Sequence, residues 1–112
     1  MSANDVYSEF IRQLPQADAP LAGVDVRLIS GPTAQAAFFF LPAGTRVPPH
    51  SHCAQWGIVV EGEIELTIGM ATHIFHRGDR YHIADGETHA ALITKDSWVI
   101  DVFADPKRYA EK

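Results

Sequence analysis

Six histidines stand among 112 residues, and three are spaced for a shared task. His50-Ser51-His52 sets two imidazoles two residues apart, a spacing that sends both side chains to one face of a strand. His89 lies far along the chain, at the start of another extended run. Three neutral imidazoles meeting at a point would hold one divalent transition metal such as Mn, Fe, Co, Ni or Zn. An HxH pair is also compatible with two ordinary strand histidines. A second chemical feature is a carboxylate within an apolar run, Val99-Ile100-Asp101-Val102-Phe103. Facing outward, Asp101 would be a solvated charge between two apolar face-mates. Facing inward, it would sit in a low-dielectric interior where its basicity is tunable. The inward register is the expectation, with Phe103 on the same face excluding water. Trp98, Ile100 and Val102 then form an outward apolar stripe.

The elements that position these groups follow from periodicity. Asn4 to Leu14 reads as a short helix, capped by Asn4 or Asp5, with Val6, Phe10 and Leu14 at helical spacing and Pro15 as its stop. A loop to Gly23 completes a lead-in segment, residues 1–23. From Val24 the period is two, and residues 24–112 read as one barrel domain. Val24–Leu28, Gln35–Leu41, Glu63–Ile68, His73–Phe75, Tyr81–Ala84, His89–Thr94 and Trp98–Phe103 are the expected strands, punctuated by Gly31-Pro32, Gly44, Gly62, Gly69, Gly78 and Gly86. Many short strands with glycine turns point to an all-β sandwich or barrel. In Gln35–Leu41, either Phe38 and Phe40 or Ala37, Phe39 and Leu41 line the interior; alternation alone leaves both open. If Gln55 faces inward, Gly57 does too and leaves open space, while Trp56 packs on the other side. His73, His76 and His82 belong on solvent faces. Cys53 is either a small semi-buried thiol or a redox-sensitive neighbour of the histidines.

Composition narrows the class. The chain is 46% hydrophobic and 21% charged, the balance of one globular domain and not of a disordered chain. Its formal net charge of −5, with no basic stripe, argues against nucleic-acid binding. The longest apolar run, Ala36–Leu41, is far shorter than the roughly 20 residues of a spanning helix. No signal-peptide pattern opens the sequence. A single cysteine excludes an internal disulfide, so a reducing cytoplasm is the expected location. Strands that are apolar on both faces need the N-terminal helix or a second subunit to cover one of them, and a homodimer is the expectation.

The glycines and histidines together carry a family resemblance. Gly44, His50, His52, Gln55 and Gly62 follow the pattern G-x5-H-x-H-x(3,4)-E-x6-G, and Gly78, Gly86 and His89 follow G-x5-P-x-G-x2-H-x3-N. The chain thus resembles the small single-domain, RmlC-like cupins over Gly44 to Ile93. Resemblance implies a double-stranded β-helix (jelly-roll) barrel holding one divalent metal on His50, His52 and His89, with Gln55 in the acidic ligand's position. Gln55 replaces the usual Glu and follows His52 after two residues instead of three or four, Ala84 replaces the motif proline and Ile93 the motif asparagine. A neutral fourth ligand leaves the dication's charge uncompensated, favouring polarisation of a bound carbonyl or carboxylate; Gln55 could equally hold a bound water.

The ending Asp101-Val102-Phe103 with Pro106 is similar to small pectin-degradation cupins that linearise 4,5-unsaturated uronates. There Asp101 and Phe103 match the catalytic positions, while Ala54-Gln55-Trp56-Gly57 and Asp105-Pro106-Lys107-Arg108 depart from the usual residues. The implied activity is metal-assisted isomerisation or ring opening of a small carboxylated or sugar-like molecule. Arg46 or Arg80 would meet its carboxylate, if either is more than a surface charge. An iron-dependent dioxygenase and a non-catalytic small-ligand binder are the alternatives.

Overall fold

Alternation builds the walls. In the computed structural model, which describes residues 6–112, seven antiparallel strands carry nearly all the architecture: β1 (Asp25–Ser30), β2 (Gln35–Leu41), β3 (Arg46–His50), β4 (Gln55–Ile68), β5 (Ala71–His76), β6 (Arg80–Ile83) and β7 (His89–Phe103). β4 and β7 pair along most of their length and are long enough to serve two sheets. Their Gln55–Glu61 and Trp98–Phe103 halves join β6, β2 and β1. Their other halves join β3 and β5. The result is a jelly-roll barrel whose interior holds Val26, Leu28, Phe39, Val59, Ile64, Leu66, Ile83, Ile93, Val99 and Phe103.

The turn from one sheet into the other falls where the sequence is polar, Glu61-Gly62-Glu63 against Lys95-Asp96-Ser97. There the β4–β7 register shifts. Gly62 has φ +108°, and a Cβ on it would lie 2.3 Å from Ser97 Oγ and 2.5 Å from the Asp96 carbonyl. Ser97 Oγ fills that space, accepting from the Glu63 N–H at 3.0 Å. Polar breaks that suggest strand ends to a sequence reader are therefore bends inside continuous strands. β3 is not among the strands that periodicity predicts. Its Pro48-Pro49 pair cannot donate to a ladder, and the β3–β7 register duly shifts between Val47 and His50.

The N-terminal helix is present but short. Only α1 (Glu9–Arg12) is helical beyond Val6, because Ser8 is extended, and the expected caps Asn4 and Asp5 lie outside the described residues. Phe10 is 75% exposed, so the expected Val6–Phe10–Leu14 face is not what docks the segment. Tyr7 does: its hydroxyl donates to the Phe39 carbonyl at 2.8 Å and lies 3.2 Å from that of Val99. No helix among the described residues is long and apolar enough to cross a membrane.

β2 buries Gln35, Ala37, Phe39 and Leu41, which resolves the open choice of faces. The outward stripe is corrected at one position. Trp98 is buried, packed on Phe40 with ring centroids 5.1 Å apart, because the β2–β7 register sets the two opposite each other. Ile100 is half-buried, and Val102 is exposed.

Candidate metal centre

β3 ends on His50 and β7 begins on His89, and the antiparallel register makes them direct partners. His52 follows in the loop, and its carbonyl accepts from the Gly86 N–H at 2.9 Å. That bond ties the first histidine segment to the turn entering β7. Potential ligand atoms of His50, His52 and His89 all lie within 4.8 Å of one another.

Each imidazole is oriented through its other nitrogen. Nδ1 of His50, His52 and His89 lies 2.9, 2.8 and 2.9 Å from the carbonyls of Pro48, Cys53 and Glu87. A carbonyl only accepts, so each Nδ1 carries the proton and each Nε2 presents a lone pair. Nε2 of His52 and His89 stand 3.1 Å apart. Two neutral lone pairs at that distance repel unless a proton or cation lies between them. Nitrogens about 2.1 Å from a shared ion are this far apart when they subtend about 95°. Burial lowers the pKa of His52 to about 4 and lowers that of His89, so both are neutral and ready to ligate near pH 7.

Gln55 is buried beside them, and its Oε1 is buried without a hydrogen-bond partner. A buried amide oxygen with nothing to accept from is costly and is available to a cation or a water. The donor set, three nitrogens and one neutral oxygen, fits a borderline divalent transition metal.

Asp101 faces inward. In the register, Gly57 of β4 lies between Tyr81 of β6 and Asp101 of β7, and the Tyr81 hydroxyl donates to Asp101 Oδ1 at 2.6 Å across it. A Cβ on residue 57 would lie 2.2 Å from Asp101 Oδ1 and 2.3 Å from Tyr81 Cζ. Gly57 therefore leaves no open space, contrary to expectation: its missing side chain is filled by the Tyr81–Asp101 pair. Burial raises the Asp101 pKa to about 6, opposed by hydrogen bonds from Tyr81 and Gln55. Burial also raises the Tyr81 pKa, as does the neighbouring carboxylate. Tyr81 is thus the proton donor of the pair, a role that alternation alone did not suggest.

Phe103 stands edge-on to His52, centroids 5.4 Å apart. Beyond it the chain supplies a cation that sequence reasoning missed. Arg108 lies over the Tyr109 ring at 4.4 Å and the Phe103 ring at 5.4 Å. Its Nε is buried without a partner. Arg46 and Arg80 are exposed and do not line the cavity, whereas Arg108 does. The loop after β7 carries no periodic signal, so nothing in its sequence shows which way Arg108 turns. His73, His76 and His82 are exposed. Cys53 is half-buried, and burial raises its pKa, the reverse of a reactive thiolate.

The histidines, Gln55, Asp101, Tyr81, Phe103, Arg108 and Tyr109 line one cavity, about 90 Å³ inside and open to solvent. Its far walls are aliphatic, from Ile64, Leu66, Ile83 and Ile93.

The Cupin domain family model matches residues 37–102. KdgF from Halomonas sp. is similar at 26% identity, covering 87% of this chain and 90% of that one with a TM-score of 0.76. An RmlC-like cupin from Shewanella frigidimarina is 22% identical over 87% of each chain, TM-score 0.77. A single-substitution variant of the B. subtilis oxalate decarboxylase is 15% identical, covering 91% of this chain but 31% of its own, TM-score 0.76. No curated protein sequence matches the chain.

Proposed function

The chain belongs to the cupin family, and from that premise we propose that it is a metal-dependent enzyme that isomerises or ring-opens a small carboxylated, sugar-like molecule. The observation that carries this reading is a buried carboxylate, Asp101, held by Tyr81 in the same cavity as three converging histidines. The resemblance of Asp101-Val102-Phe103 with Pro106 to pectin-degradation cupins supports a 4,5-unsaturated uronate as the proposed substrate, and the likeness to KdgF is consistent with it.

In this reading His50, His52, His89 and Gln55 hold one divalent transition metal, which would polarise a substrate oxygen. Arg108, with donors to spare, takes the substrate carboxylate. Phe103 and Tyr109 offer ring faces to the sugar's C–H groups. Asp101 accepts the proton of the anomeric hydroxyl as the anomeric carbon becomes an aldehyde and its bond to the ring oxygen breaks. The ring oxygen is left as an enol oxygen on the former alkene, and a proton returned to the neighbouring alkene carbon converts that enol to a ketone. Nothing is oxidised or reduced overall. Tyr81 keeps the Asp101 carboxylate aimed while it works.

Anaerobic assay of the metal-loaded protein on an unsaturated galacturonate monomer, followed by loss of alkene absorbance, tests this. Asp101→Asn should keep fold and metal and lose turnover by roughly 10²-fold or more. No anaerobic turnover, with oxygen consumed on addition of iron and substrate, would replace this reading with a dioxygenase. We also propose a homodimer. Ile29, Ala36, Val102 and Trp56 pair in series across β1, β2, β7 and β4, and Ile29, Val102 and Trp56 are 51%, 37% and 41% exposed.

A further inference from the structure

Gln35 is polar, 2% exposed and outside the site described above. It sits on the inner face of β2 at the end of the barrel, opposite Phe103 of β7. Its side chain reaches across to the segment that follows β7. Nε2 lies 3.2 Å from the Pro106 carbonyl, 3.1 Å from that of Tyr109 and 3.1 Å from Ser30 Oγ. Oε1 accepts from the Tyr109 N–H at 3.0 Å. One buried amide thus stands in for a strand partner along residues 106–109, between the end of β7 and the Ala17–Glu111 bridge.

That stretch is fastened in three places. The Ala104 N–H donates to the Ala54 carbonyl at 2.9 Å. At its far end, Asp18 N–H donates to Ala110 O at 2.9 Å and Lys112 N–H to Gln16 O at 2.7 Å. Gln35 grips the middle, where Arg108 and Tyr109 turn over the cavity. Tyr109 also meets Phe39 and Phe103 edge-on, centroids 6.0 and 5.7 Å apart. Those ring contacts are directionally loose, whereas an amide bonded on both sides of the peptide sets position along the chain. Loss of the Gln35 contacts would leave both ends attached and the middle free to bow outward, taking Arg108 with it.

We propose that Gln35 is a positioning residue that holds the 105–109 segment so that Arg108 and Tyr109 form the carboxylate-recognising wall of the cavity. This rests on the reading of Arg108 as the group that meets the substrate carboxylate. Gln35 itself would touch neither substrate nor metal. Its effect is therefore on ligand affinity and not on the histidine centre.

The test compares wild type with Gln35→Met, which keeps the volume and removes every hydrogen bond, and with Gln35→Ala. Amide hydrogen exchange is measured across the metal-loaded chains, and D-galacturonate, a saturated uronate, is titrated calorimetrically into each. In Gln35→Met we expect unchanged nickel content and unchanged exchange in β4 and β7. Exchange at 106–110 should quicken, and D-galacturonate affinity should weaken about tenfold or more, as for loss of a charge-assisted contact. Wild-type exchange at 106–110 in both variants would overturn the anchor. Faster exchange there with unchanged affinity would overturn its role in recognition. Wild type that binds no D-galacturonate, with 106–110 still released in the variants, would instead overturn the carboxylate reading of Arg108, and this proposal with it.

Discussion

At the scale of single residues, the three Nδ1–carbonyl bonds carry the most weight, because they decide which nitrogen is free. These bonds to backbone carbonyls leave Nε2 of each imidazole free to meet the others. Removing one ligand from a site built this way should therefore empty it without collapsing the barrel. His89→Ala should lose most bound metal while keeping its β circular-dichroism spectrum, as read by metal analysis after dialysis. Full occupancy in that variant would rule out the assignment of His89. Asp101 offers a prediction that needs no substrate. Its folded pKa of about 6 lies above the ordinary 3.8, so the native state holds the proton longer, and this group costs stability as pH rises from about 4 to 6. His52 works oppositely. Its folded pKa of about 4 lies below 6.5, so its contribution is lost as pH falls through that window. In metal-free wild type the two trends oppose each other. Asp101→Asn removes the first, so its urea midpoint should climb more steeply between pH 4 and 6.5. Above pH 6 its unfolding free energy should exceed that of wild type by roughly 1–3 kcal/mol, and below pH 4 the two should coincide.

At the scale of elements, the long strands β4 and β7 do most of the positioning, since each serves both sheets and together they bring His89, Gln55, Asp101 and Phe103 to one interior. The bend that lets them do so rests on Gly62. Gly62→Ala must hold an L residue at φ +108° and push its Cβ into Ser97 Oγ and the Asp96 carbonyl. The backbone carbonyl cannot swing aside as a flexible side chain would. We expect a loss of about 3 kcal/mol or more by equilibrium denaturation. Gly44→Ala, with no heavy atom within 4 Å of its Cβ, is the comparison that separates the clash from the cost of positive φ alone.

At the scale of the molecule, the outer face of the larger sheet remains to be covered. A 112-residue barrel has a high ratio of surface to volume, and a row of apolar residues crossing four strands adds to what water must solvate. Light scattering at micromolar concentration should give twice the 12.3 kDa chain mass. Trp56→Glu sets a charge in the middle of that row and should return the mass to one chain, with the barrel intact. A wild-type mass of one chain would refute the dimer. Trp98, though on the outer side, should not have this effect, because Phe40 already covers it.

Sequence alone determined the family, the barrel, the histidine triad and the inward face of Asp101. Each is written in a local code: glycines at turns, period-two alternation, and a two-residue spacing that sets side chains on one face. Gln35–Leu41 matched residue for residue because its alternation is uninterrupted. What sequence left open were matters of register between distant segments. Nothing local says that Phe39 and not Phe38 turns inward, or that Lys95-Asp96-Ser97 is a bend and not a turn. Nor does anything local show that the space at Gly57 belongs to Tyr81 and Asp101, which are 20 residues apart. Arg108 was hidden because the loop after β7 carries no periodicity to show which way it turns. Gln35 was hidden because its partners lie up to 74 residues away, and hydrogen bonds of that separation exist only once the sheets have closed.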